Sequence, residues 1–303
     1  MKFYKFPTAV KKLVGVEAVN GIDFNGFKWK VGEISQGVEF IYDIDDLMTY
    51  YPLFVKHLQE QGEDISKMVV SLPLETFLES FELKKAGQEN LIDKLSSDII
   101  SKIEDCKQCI VLPQGSSALY KIKKETDDIT GNILVIDGGF NTVNIAIANF
   151  TSASNINILF SHTIFDEFGV RDLLEKFFRK ELALKYNNVT SNLQVLNSTF
   201  NQGKIDSGFN TIDVTNEKKR AIKIFTESLI DRIQKIVSKA KIQYDSIVVV
   251  GGLSYYIDFD TNKSKFIPQK DGEFYTLMGM LEKVSDGFLA LDLGFGDAKV
   301  GKK

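Results

Sequence analysis

Two short stretches of the sequence place an acid and glycines directly after an apolar run. The first follows the run 133–136 and contains Asp137, Gly138, Gly139, Asn141 and Thr142. Glycines let backbone N–H groups come close to an anion, and a turn can direct several of them inward. An acid at a strand end can hold a hydrated Mg²⁺. The stretch predicts a β-hairpin with a phosphate site, and an ordinary Asp-Gly hairpin is the alternative.

The second stretch lies near the C-terminus and repeats this form. It follows the apolar run 288–291 and contains Asp292, Gly294, Phe295, Gly296 and Asp297. Lys299 adds a cation that would reach phosphates as a point charge, or is simply a solvated lysine. The repeat predicts a duplicated architecture in which the two hairpins face each other, with Asp137 and Asp292 turned towards a metal. The alternative is that each acid caps its own turn.

Two further segments carry residues of matching chemistry. Gly251 and Gly252 end the apolar run 246–250 and would let a ligand lie against backbone, unless they form a plain strand-to-helix turn. Gln114 lies in the segment 112–115. Phosphoryl transfer needs positioning more than a strong base, so a glutamine can orient an attacking water. A loop amide without a role is the alternative.

These four motifs together resemble the actin-like ATPases, a superfamily that includes heat-shock chaperone ATPases and sugar kinases. The resemblance identifies 292–299 with the first phosphate loop, 137–142 with the second, 248–252 with the adenosine motif and 112–115 with the water-positioning segment. It spans nearly the whole chain. Weaker matches lean towards the plasmid-segregation (ParM-like) and archaeal actin branch, at 168–173 and 30–33.

The resemblance implies an α/β, actin-like (ribonuclease H-like) two-lobed ATPase fold with a nucleotide cleft between the lobes. It implies ATP or ADP and Mg²⁺ as cofactors, with Gln114 and Asp137 catalytic and Asp137 and Asp292 at the metal. Asn144 replaces an acid that is common in the ParM-like branch. Further nucleotide contacts are expected at Leu253, Glu217 and Lys218.

The implied function is ATP hydrolysis by a filament-forming protein of the plasmid-segregation type. Its partners would be further copies of itself and a DNA-binding adaptor protein. One alternative is a small-molecule, sugar-type kinase with the same core, which would need an acid as base for a substrate hydroxyl. Another is a non-polymerising ATPase module, such as a chaperone lobe.

The order of the motifs departs from the family. There the first phosphate loop opens the chain, whereas here 292–299 closes it. We therefore predict a circular permutation in which 285–287 is the new connector. The hairpin 292–299 should then lie beside the strand that starts at Lys2. Domain I would comprise 1–128 and 268–303, and domain II 129–267.

Composition limits the remaining possibilities. The chain has 303 residues, 44% hydrophobic and 26% charged, as in ordinary globular proteins. Its net charge of -4 argues against direct nucleic-acid binding. No apolar run approaches the about 20 residues of a membrane span, and lysines in the first 16 residues argue against a signal peptide, so we expect a cytoplasmic protein. Cys106 and Cys109 form a single CxxC, which predicts reduced thiols rather than a metal site.

Periodicity predicts the elements that must position these residues. Alternation and apolar runs predict strands at 3–10, 22–31 (a hairpin), 68–72, 108–112, 132–137, 142–150, 155–164 and 246–250. Helical spacing predicts helices at 45–61, 116–120, 170–186 and 216–241, with a kink or restart at Pro52. We expect mixed structure at 91–103 and a polar, mobile segment at 187–213. Strands alternating with helices indicate an α/β protein.

Overall fold

The computed structural model of the chain describes residues 2–15, 20–34, 37–40, 43–152, 155–165, 167–186, 192–206, 210–257, 259–294 and 296–303. Contacts divide the chain into two compact units. Unit 1 comprises Met1–Asp128, Phe150–Asn157 and Phe274–Lys303, and unit 2 comprises Ile129–Asn149 and Ile158–Glu273. The domain boundaries at 128/129 and 267/268 stay predictions.

The strands of the described residues are short apart from one pair in unit 2. In chain order they are β1 Lys2–Pro7, β2 Ala9–Leu13, β3 Ile22–Phe24, β4 Phe27–Val31, β5 Glu39–Phe40, β6 Lys67–Leu72, β7 Gln108–Pro113, β8 Ile133–Gly138, β9 Thr142–Ser152, β10 Asn155–Phe165, β11 Lys204–Asp206, β12 Thr211–Asp213, β13 Ser246–Gly251, β14 Ser264–Phe266, β15 Leu289–Leu293 and β16 Asp297–Lys302.

The helices of the described residues alternate with these strands. They are α1 Ile44–Glu60, α2 Leu74–Lys85, α3 Leu91–Lys102, α4 Ala118–Glu125, α5 Val170–Asp172, α6 Arg179–Ala183, α7 Leu193–Gln202, α8 Thr215–Ala240 and α9 Tyr275–Lys283. A π-helical segment, Leu173–Phe178, joins α5 to α6, and a 3-10 turn, Gly252–Tyr255, follows β13.

Unit 1 is built on a five-stranded sheet in the order β1-β16-β15-β6-β7. Strands β15, β6 and β7 are parallel, whereas β16 runs antiparallel to both β15 and β1. Lys302 of β16 lies opposite Lys2 of β1, and Asp292 lies opposite Lys299. The predicted hairpin beside the strand that starts at Lys2 is therefore confirmed. The chain's last two strands occupy the interior of the sheet.

Unit 2 contains a sheet with the same spatial plan, in the order β10-β9-β8-β13-β14. Strands β8, β13 and β14 are parallel, and β9 is antiparallel to β8. In both sheets a hairpin has a third strand beside it on one side and two parallel strands on the other. In unit 2 the hairpin strands β8 and β9 come first along the chain, before β10, β13 and β14. In unit 1 the hairpin strands β15 and β16 come last, after β1, β6 and β7.

The central strand of unit 1 explains why the sequence 289–293 is apolar. Its residues are all buried, as expected where both faces of a sheet are covered. Leu289 and Leu291 join the core that contains Tyr51 of α1, whereas Ala290 joins a second core with Leu277 of α9. The alternation of side chains along a strand thus separates the two cores.

The core of unit 2 forms where strand and helix periodicities meet. Ile136 of β8 and Val249 of β13 contribute to the same cluster as the helical residues Phe178 and Phe225. The ring of Phe177 makes an edge-to-face contact with Phe225 at 5.3 Å between centroids. This packing fixes α8 against the sheet that contains β8 and β13, the strands that end at Gly138 and Gly251.

Four expectations about local structure were incomplete or wrong. Helix α1 continues through Pro52 without restarting, because Pro52 is buried among core residues whose packing outweighs the lost hydrogen bond. The segment 91–102 is one helix capped by Asn90 rather than a mixture. Helix α2 was not predicted, because its apolar residues give little helical amphipathicity. The polar segment 187–213 contains α7 and the hairpin β11–β12.

In the part of the chain that the structure describes, no helix has both the length and the apolar character that crossing a membrane requires.

Candidate functional site

Asp292 is the centre of a hydrogen-bonded cluster in unit 1. It lies in β15 and is only 3% exposed. Its Oδ1 accepts hydrogen bonds from Ser71 Oγ at 2.6 Å and Gln114 Nε2 at 2.9 Å, and its Oδ2 pairs with Lys299 Nζ at 3.2 Å. A buried carboxylate requires such donors, because an unpaired charge is costly away from water. The structure thus brings together three predicted residues, Gln114, Asp292 and Lys299.

The amide of Gln114 is held on more than one side. Besides Asp292, its Nε2 lies 3.0 Å from the carbonyl oxygen of Leu293 and 3.2 Å from Ser71 Oγ. The backbone N–H of Gln114 donates to the carbonyl of Leu72 at 2.8 Å, which continues the pairing of β6 with β7 beyond its last residue. Strand pairing therefore fixes the position of the Gln114 backbone, and the hydrogen bond to Asp292 fixes the position of its amide group.

Sequence reasoning missed Ser71 and Tyr51, two fully buried residues of this cluster. The Tyr51 hydroxyl donates to the carbonyl of Leu291 at 2.9 Å and accepts from the Ser71 N–H at 2.9 Å. Burial raises the pKa of the Tyr51 hydroxyl, so it stays protonated. One signal could have found Ser71, since it is the only polar side chain in the apolar run 68–72.

The turn between β15 and β16 is closed by backbone hydrogen bonds. The N–H of Gly294 donates to the carbonyl of Asp297 at 3.1 Å, and the N–H of Thr8 donates to the carbonyl of Gly296 at 3.1 Å. The Asp297 carboxylate forms an exposed ion pair with Lys5 at 3.2 Å. Phe295, a predicted site residue, lies outside the described residues.

The turn between β8 and β9 in unit 2 has the same closing bond. The N–H of Gly139 donates to the carbonyl of Thr142 at 2.8 Å, and Asp137 lies opposite Asn144 as Asp292 lies opposite Lys299. The two hairpins therefore match position by position in their acids and their turns. They differ where Lys299 of one corresponds to Asn144 of the other.

The turn of unit 2 also accepts hydrogen bonds from the start of α5. The N–H groups of Val170 and Arg171 donate to the carbonyls of Gly139 and Phe140, at 3.1 and 2.9 Å. A Cβ at Gly169 would lie 2.2 Å from the carbonyl oxygen of Phe140, so only glycine permits this approach. Two N–H groups that a helix leaves without intrahelical partners are satisfied here.

Two glycines are required where β13 meets the end of β8. Gly251 has a φ of +79°, and a Cβ there would lie 2.4 Å from Asp137 Oδ1. A Cβ at Gly138 would lie 2.4 Å from a methyl carbon of Leu253. The structure therefore brings together four predicted residues, Asp137, Gly138, Gly251 and Leu253. Gly252 follows, where a Cβ would make ordinary contact with Val170 at 3.5 Å.

Each turn has a buried polar atom beside it without a hydrogen-bond partner. In unit 2 this atom is Oδ1 of Asn141, and in unit 1 it is Oγ1 of Thr8. Buried polar atoms normally have partners, so such exceptions suit atoms that meet a ligand. An amide oxygen can accept from a metal-bound water or a sugar hydroxyl, and a hydroxyl can donate to a phosphate. Each atom is therefore chemically suited to a ligand at its own turn. Asn144 is already engaged, since its Oδ1 accepts from Thr163 at 2.9 Å.

The predicted pair Glu217 and Lys218 lies in the first turn of α8. Glu217 is 1% exposed, and its Oε1 pairs with Lys185 at 3.1 Å and Arg220 at 3.0 Å. The ammonium of Lys218 lies 4.7 Å from the centre of the Phe200 ring, and burial lowers its pKa. The contacts described for these two side chains are within the helical part of unit 2.

The described residues contain no cluster of three or more His, Cys, Asp or Glu side chains that could enclose a metal ion. Cys106 and Cys109 are free and buried. Burial raises the pKa of both thiols. Any Mg²⁺ would have to be held by one or two carboxylates together with water and phosphate, as this ion usually is.

No protein-family model and no curated protein matches the sequence. Among solved structures, the chain is similar to the archaeal actin homologue Ta0583, with a TM-score of 0.65, 17% identity and coverage of 91% of this chain and 90% of that one. For Ta0583 in complex with ADP the TM-score is 0.63 and the identity 16%, at the same coverage. For ParM in a 15-stranded filament from Clostridium botulinum the TM-score is 0.59 and the identity 18%, with 91% of both chains covered.

These likenesses show the fold. The chain has the actin-like fold, which confirms the α/β fold class and, at the level of fold, the resemblance to ParM-like and archaeal actins. The two matched hairpins described above are features of this chain that hold independently of the comparison.

Proposed function

We propose that the chain binds ATP or ADP with Mg²⁺ and hydrolyses ATP. One observation carries the proposal: two hairpins with an acid at the same register position and a turn closed by the same hydrogen bond, each beside an unpartnered buried polar atom. Turns of this kind suit phosphate groups, because backbone N–H groups can point at the anion. The similar structure of Ta0583 was determined in complex with ADP, which supports the proposal.

Three predicted residues have roles in this proposal that their surroundings permit. Lys299 would face phosphate oxygens, and Gln114 would orient the attacking water. Asp137 is only partly buried, which leaves its carboxylate able to accept from a metal-bound water. Bound Mg²⁺ would neutralise charge on the phosphate oxygens. Glu217, Lys218 and Leu253 are proposed near the adenosine on the resemblance alone.

We also propose that the protein assembles into nucleotide-dependent filaments. The support is the fold, since a ParM of the same fold was determined as a 15-stranded filament. By the same resemblance we propose a role in plasmid or DNA segregation, with a DNA-binding adaptor as a partner because the net charge of -4 disfavours direct nucleic-acid contact. A cytoplasmic location and a circularly permuted chain belong to this proposal.

The replacement Asp137→Ala tests the nucleotide site. We expect Mg²⁺-dependent ATP turnover to be lost while the circular dichroism spectrum stays that of the wild type. Asp127→Ala is the matched control, because the Asp127 side chain is 95% exposed and lies outside the candidate site. Wild-type turnover by the Asp137 variant would remove this residue from the site.

Light scattering and sedimentation, with and without Mg-ATP, test assembly and the alternatives. Polymer that pellets only with Mg-ATP supports the filament proposal. ATP consumption that starts only when a sugar is added would instead indicate a kinase. ATP turnover without polymer at any protein concentration would indicate a non-polymerising module.

A further inference from the structure

We infer that Ser71 is a positioning residue which fixes the orientation of the Gln114 amide. In that orientation the carbonyl oxygen of Gln114, rather than its NH₂ group, is left to meet the attacking water. The inference rests on the proposed function, because it assigns a task to Ser71 in ATP hydrolysis. All the contacts that carry it lie within unit 1.

The orientation of the amide follows from its neighbours. The end of Gln114 that faces Asp292 lies 2.9 Å from a carboxylate oxygen and 3.0 Å from the carbonyl oxygen of Leu293. Both neighbours only accept hydrogen bonds when the carboxylate is ionised. An amide rotated by 180° would place its own oxygen against two acceptors and lose both bonds. The NH₂ group must therefore face Asp292, and Oε1 is left on the other side.

The proton of the Ser71 hydroxyl points to Asp292. The Tyr51 hydroxyl donates its proton to the carbonyl of Leu291 and accepts from the Ser71 N–H, so it does not donate to Ser71 Oγ. The Ser71 hydroxyl donates to the carboxylate oxygen Asp292 Oδ1, because this acceptor lies at 2.6 Å whereas the Tyr51 oxygen lies at 3.4 Å. Its lone pairs then face the NH₂ group of Gln114 at 3.2 Å.

Ser71 thus contacts both the Gln114 amide and the Asp292 carboxylate that accepts from it. It holds the carboxylate oxygen that accepts from Gln114, and it presents a third acceptor to the same NH₂ group beside Asp292 and Leu293. Removing its hydroxyl would let Asp292 Oδ1 move and would allow the amide to rotate. Because Ser71 is fully buried and its described contacts are to Tyr51, Gln114 and Asp292, we assign it to positioning and not to contact with substrate.

A fixed carbonyl oxygen accepts one hydrogen bond from the attacking water and leaves the water's lone pair free to attack phosphorus. A freely rotating amide would spend part of its time donating to that lone pair instead. Misplacing a positioning group by about 1 Å can cost on the order of 100-fold in rate. We expect a smaller loss from Ser71→Ala, because Asp292 and Leu293 still hold the amide.

The test compares Ser71→Ala, Ser71→Thr and Gln114→Ala with the wild type. We expect Ser71→Ala to lower kcat by about 10-fold, an order-of-magnitude scale for one positioning contact, with the KM for ATP little changed. Ser71→Thr retains the hydroxyl and should recover most of kcat. In the Gln114→Ala background, Ser71→Ala should have no further effect, because its action passes through the amide.

Each opposite result would overturn the inference. These results are a wild-type kcat for Ser71→Ala, a loss that multiplies with that of Gln114→Ala, or a changed KM at constant kcat. Ser71→Cys replaces Ser71→Ala if the alanine variant is insoluble, since a thiol fills the space but is a weak donor.

A measurement without turnover separates this inference from the proposed function. In ¹⁵N-labelled protein without nucleotide, the Gln114 side-chain NH₂ signals, assigned with Gln114→Ala, should exchange slowly with solvent in the wild type and rapidly in Ser71→Ala. Equal exchange in both proteins overturns the positioning role. Slow exchange in a wild-type protein that fails to hydrolyse ATP would overturn the proposed function but keep the orientation of the amide.

Discussion

Asp137 and Asp292 occupy the same position in their hairpins but have different surroundings. Asp292 is 3% exposed, and three side chains of the same unit donate to it. Asp137 is only partly buried and lies against Gly251. A buried carboxylate is shielded from a hydrated metal ion, whereas a partly exposed one is accessible to it. We therefore expect Asp137 to be the main metal-facing carboxylate and Asp292 to act by holding Gln114 and Lys299.

Gly251→Ala should destabilise unit 2. Its φ of +79° disfavours any side chain, and the added Cβ would lie 2.4 Å from Asp137 Oδ1. With ψ at -174° the backbone lies in a region that is essentially restricted to glycine, which costs other residues about 1–3 kcal/mol, and the overpacking adds about 1–3 kcal/mol. Urea unfolding measures the free energy of unfolding.

The control is Gly203→Ala in the same unit. Gly203 has a φ of +68°, but the nearest atom to an added Cβ is the Thr215 hydroxyl, at 3.1 Å. With ψ at 19° its backbone is left-handed helical, so only that smaller conformational cost of about 1–2 kcal/mol should remain. A loss in Gly251→Ala no larger than in Gly203→Ala would contradict the expected combined cost of the glycine-only conformation and the close approach to Asp137.

His57 should make the stability of unit 1 depend on pH. Burial lowers the pKa of its imidazole, and the Glu33 carboxylate opposes this in part. Below pH about 6.5, the usual value for His, the unfolded chain gains a proton that the folded chain takes up only at lower pH. Stability should therefore fall as the pH decreases from 7.5 towards 5.5, because the unfolded state binds more protons in that range.

Thermal unfolding between pH 7.5 and 5.5 measures this effect. The variant His57→Gln should show a smaller decrease in Tm over the same range, because it lacks the titrating group. An equal decrease in both proteins would assign the pH dependence to other groups.

At the scale of elements, α8 contributes both to the core of unit 2 and to a buried ion-pair cluster. Its 26 residues, Thr215–Ala240, place Phe225 and Leu229 in the core of unit 2 and Glu217 in a buried ion-pair cluster at its first turn. The same helix carries Thr226, which is 5% exposed and whose hydroxyl has no hydrogen-bond partner among the described residues. An unpaired hydroxyl in a helix that is otherwise well packed weakens the element that positions Glu217.

Thr226→Val should stabilise the protein. Valine has the shape of threonine without the hydroxyl, and burying an unpaired hydroxyl costs about 1–3 kcal/mol in protein mutational data. We expect a gain of about 1 kcal/mol in the free energy of unfolding, near the lower end of that range. Thr226→Ser, which keeps the hydroxyl and deletes a methyl group, should be destabilising. A less stable valine variant would indicate that the hydroxyl has a partner such as a buried water.

At the scale of the whole molecule, two sheets share one strand order although the chain enters them differently. In unit 1 the hairpin of β15 and β16 lies between β1 and β6, so strands from the two ends of the chain are neighbours. Lys2 and Lys302 are directly paired. Chain ends that are adjacent in space permit a new connection there and an opening elsewhere.

Deleting 288–303 should give insoluble protein or protein unable to bind ATP. The deletion removes the buried strands β15 and β16 and leaves the edges of β1 and β6 unpaired. A soluble, ATP-binding truncation would contradict both the permutation and the assignment of the first phosphate loop.

The matched control keeps every residue and changes only their order. A rearranged chain would join Lys302 to Lys2 through a short turn and begin at Phe288, with the link 285–287 opened. It should be soluble and bind ATP as the wild type does. Solubility is measured by sedimentation and ATP binding by equilibrium dialysis.

The sequence by itself determined the two hairpin motifs and many of the strands and helices, because these depend on residues close together in the chain. An apolar run, an acid and glycines within eight residues predict a strand and its turn whatever surrounds them. Longer segments such as α8 were also predicted, since a repeated helical spacing identifies the buried face. Local signals failed where core packing overrides them, as at Pro52 within α1.

Only the tertiary structure decided which residues meet at the site. Ser71 and Gln114 reach Asp292 across 221 and 178 positions of sequence. Nothing in a local pattern couples residues so far apart, because their contact follows from strand order and from parallel pairing. The role of Ser71 depends further on the hydroxyl of Tyr51. Tyr51 lies on helix α1, which packs against the sheet. The acid Asp292 and the amide Gln114 could be identified from the sequence, whereas the hydrogen bonds that orient them follow from the arrangement of the sheet.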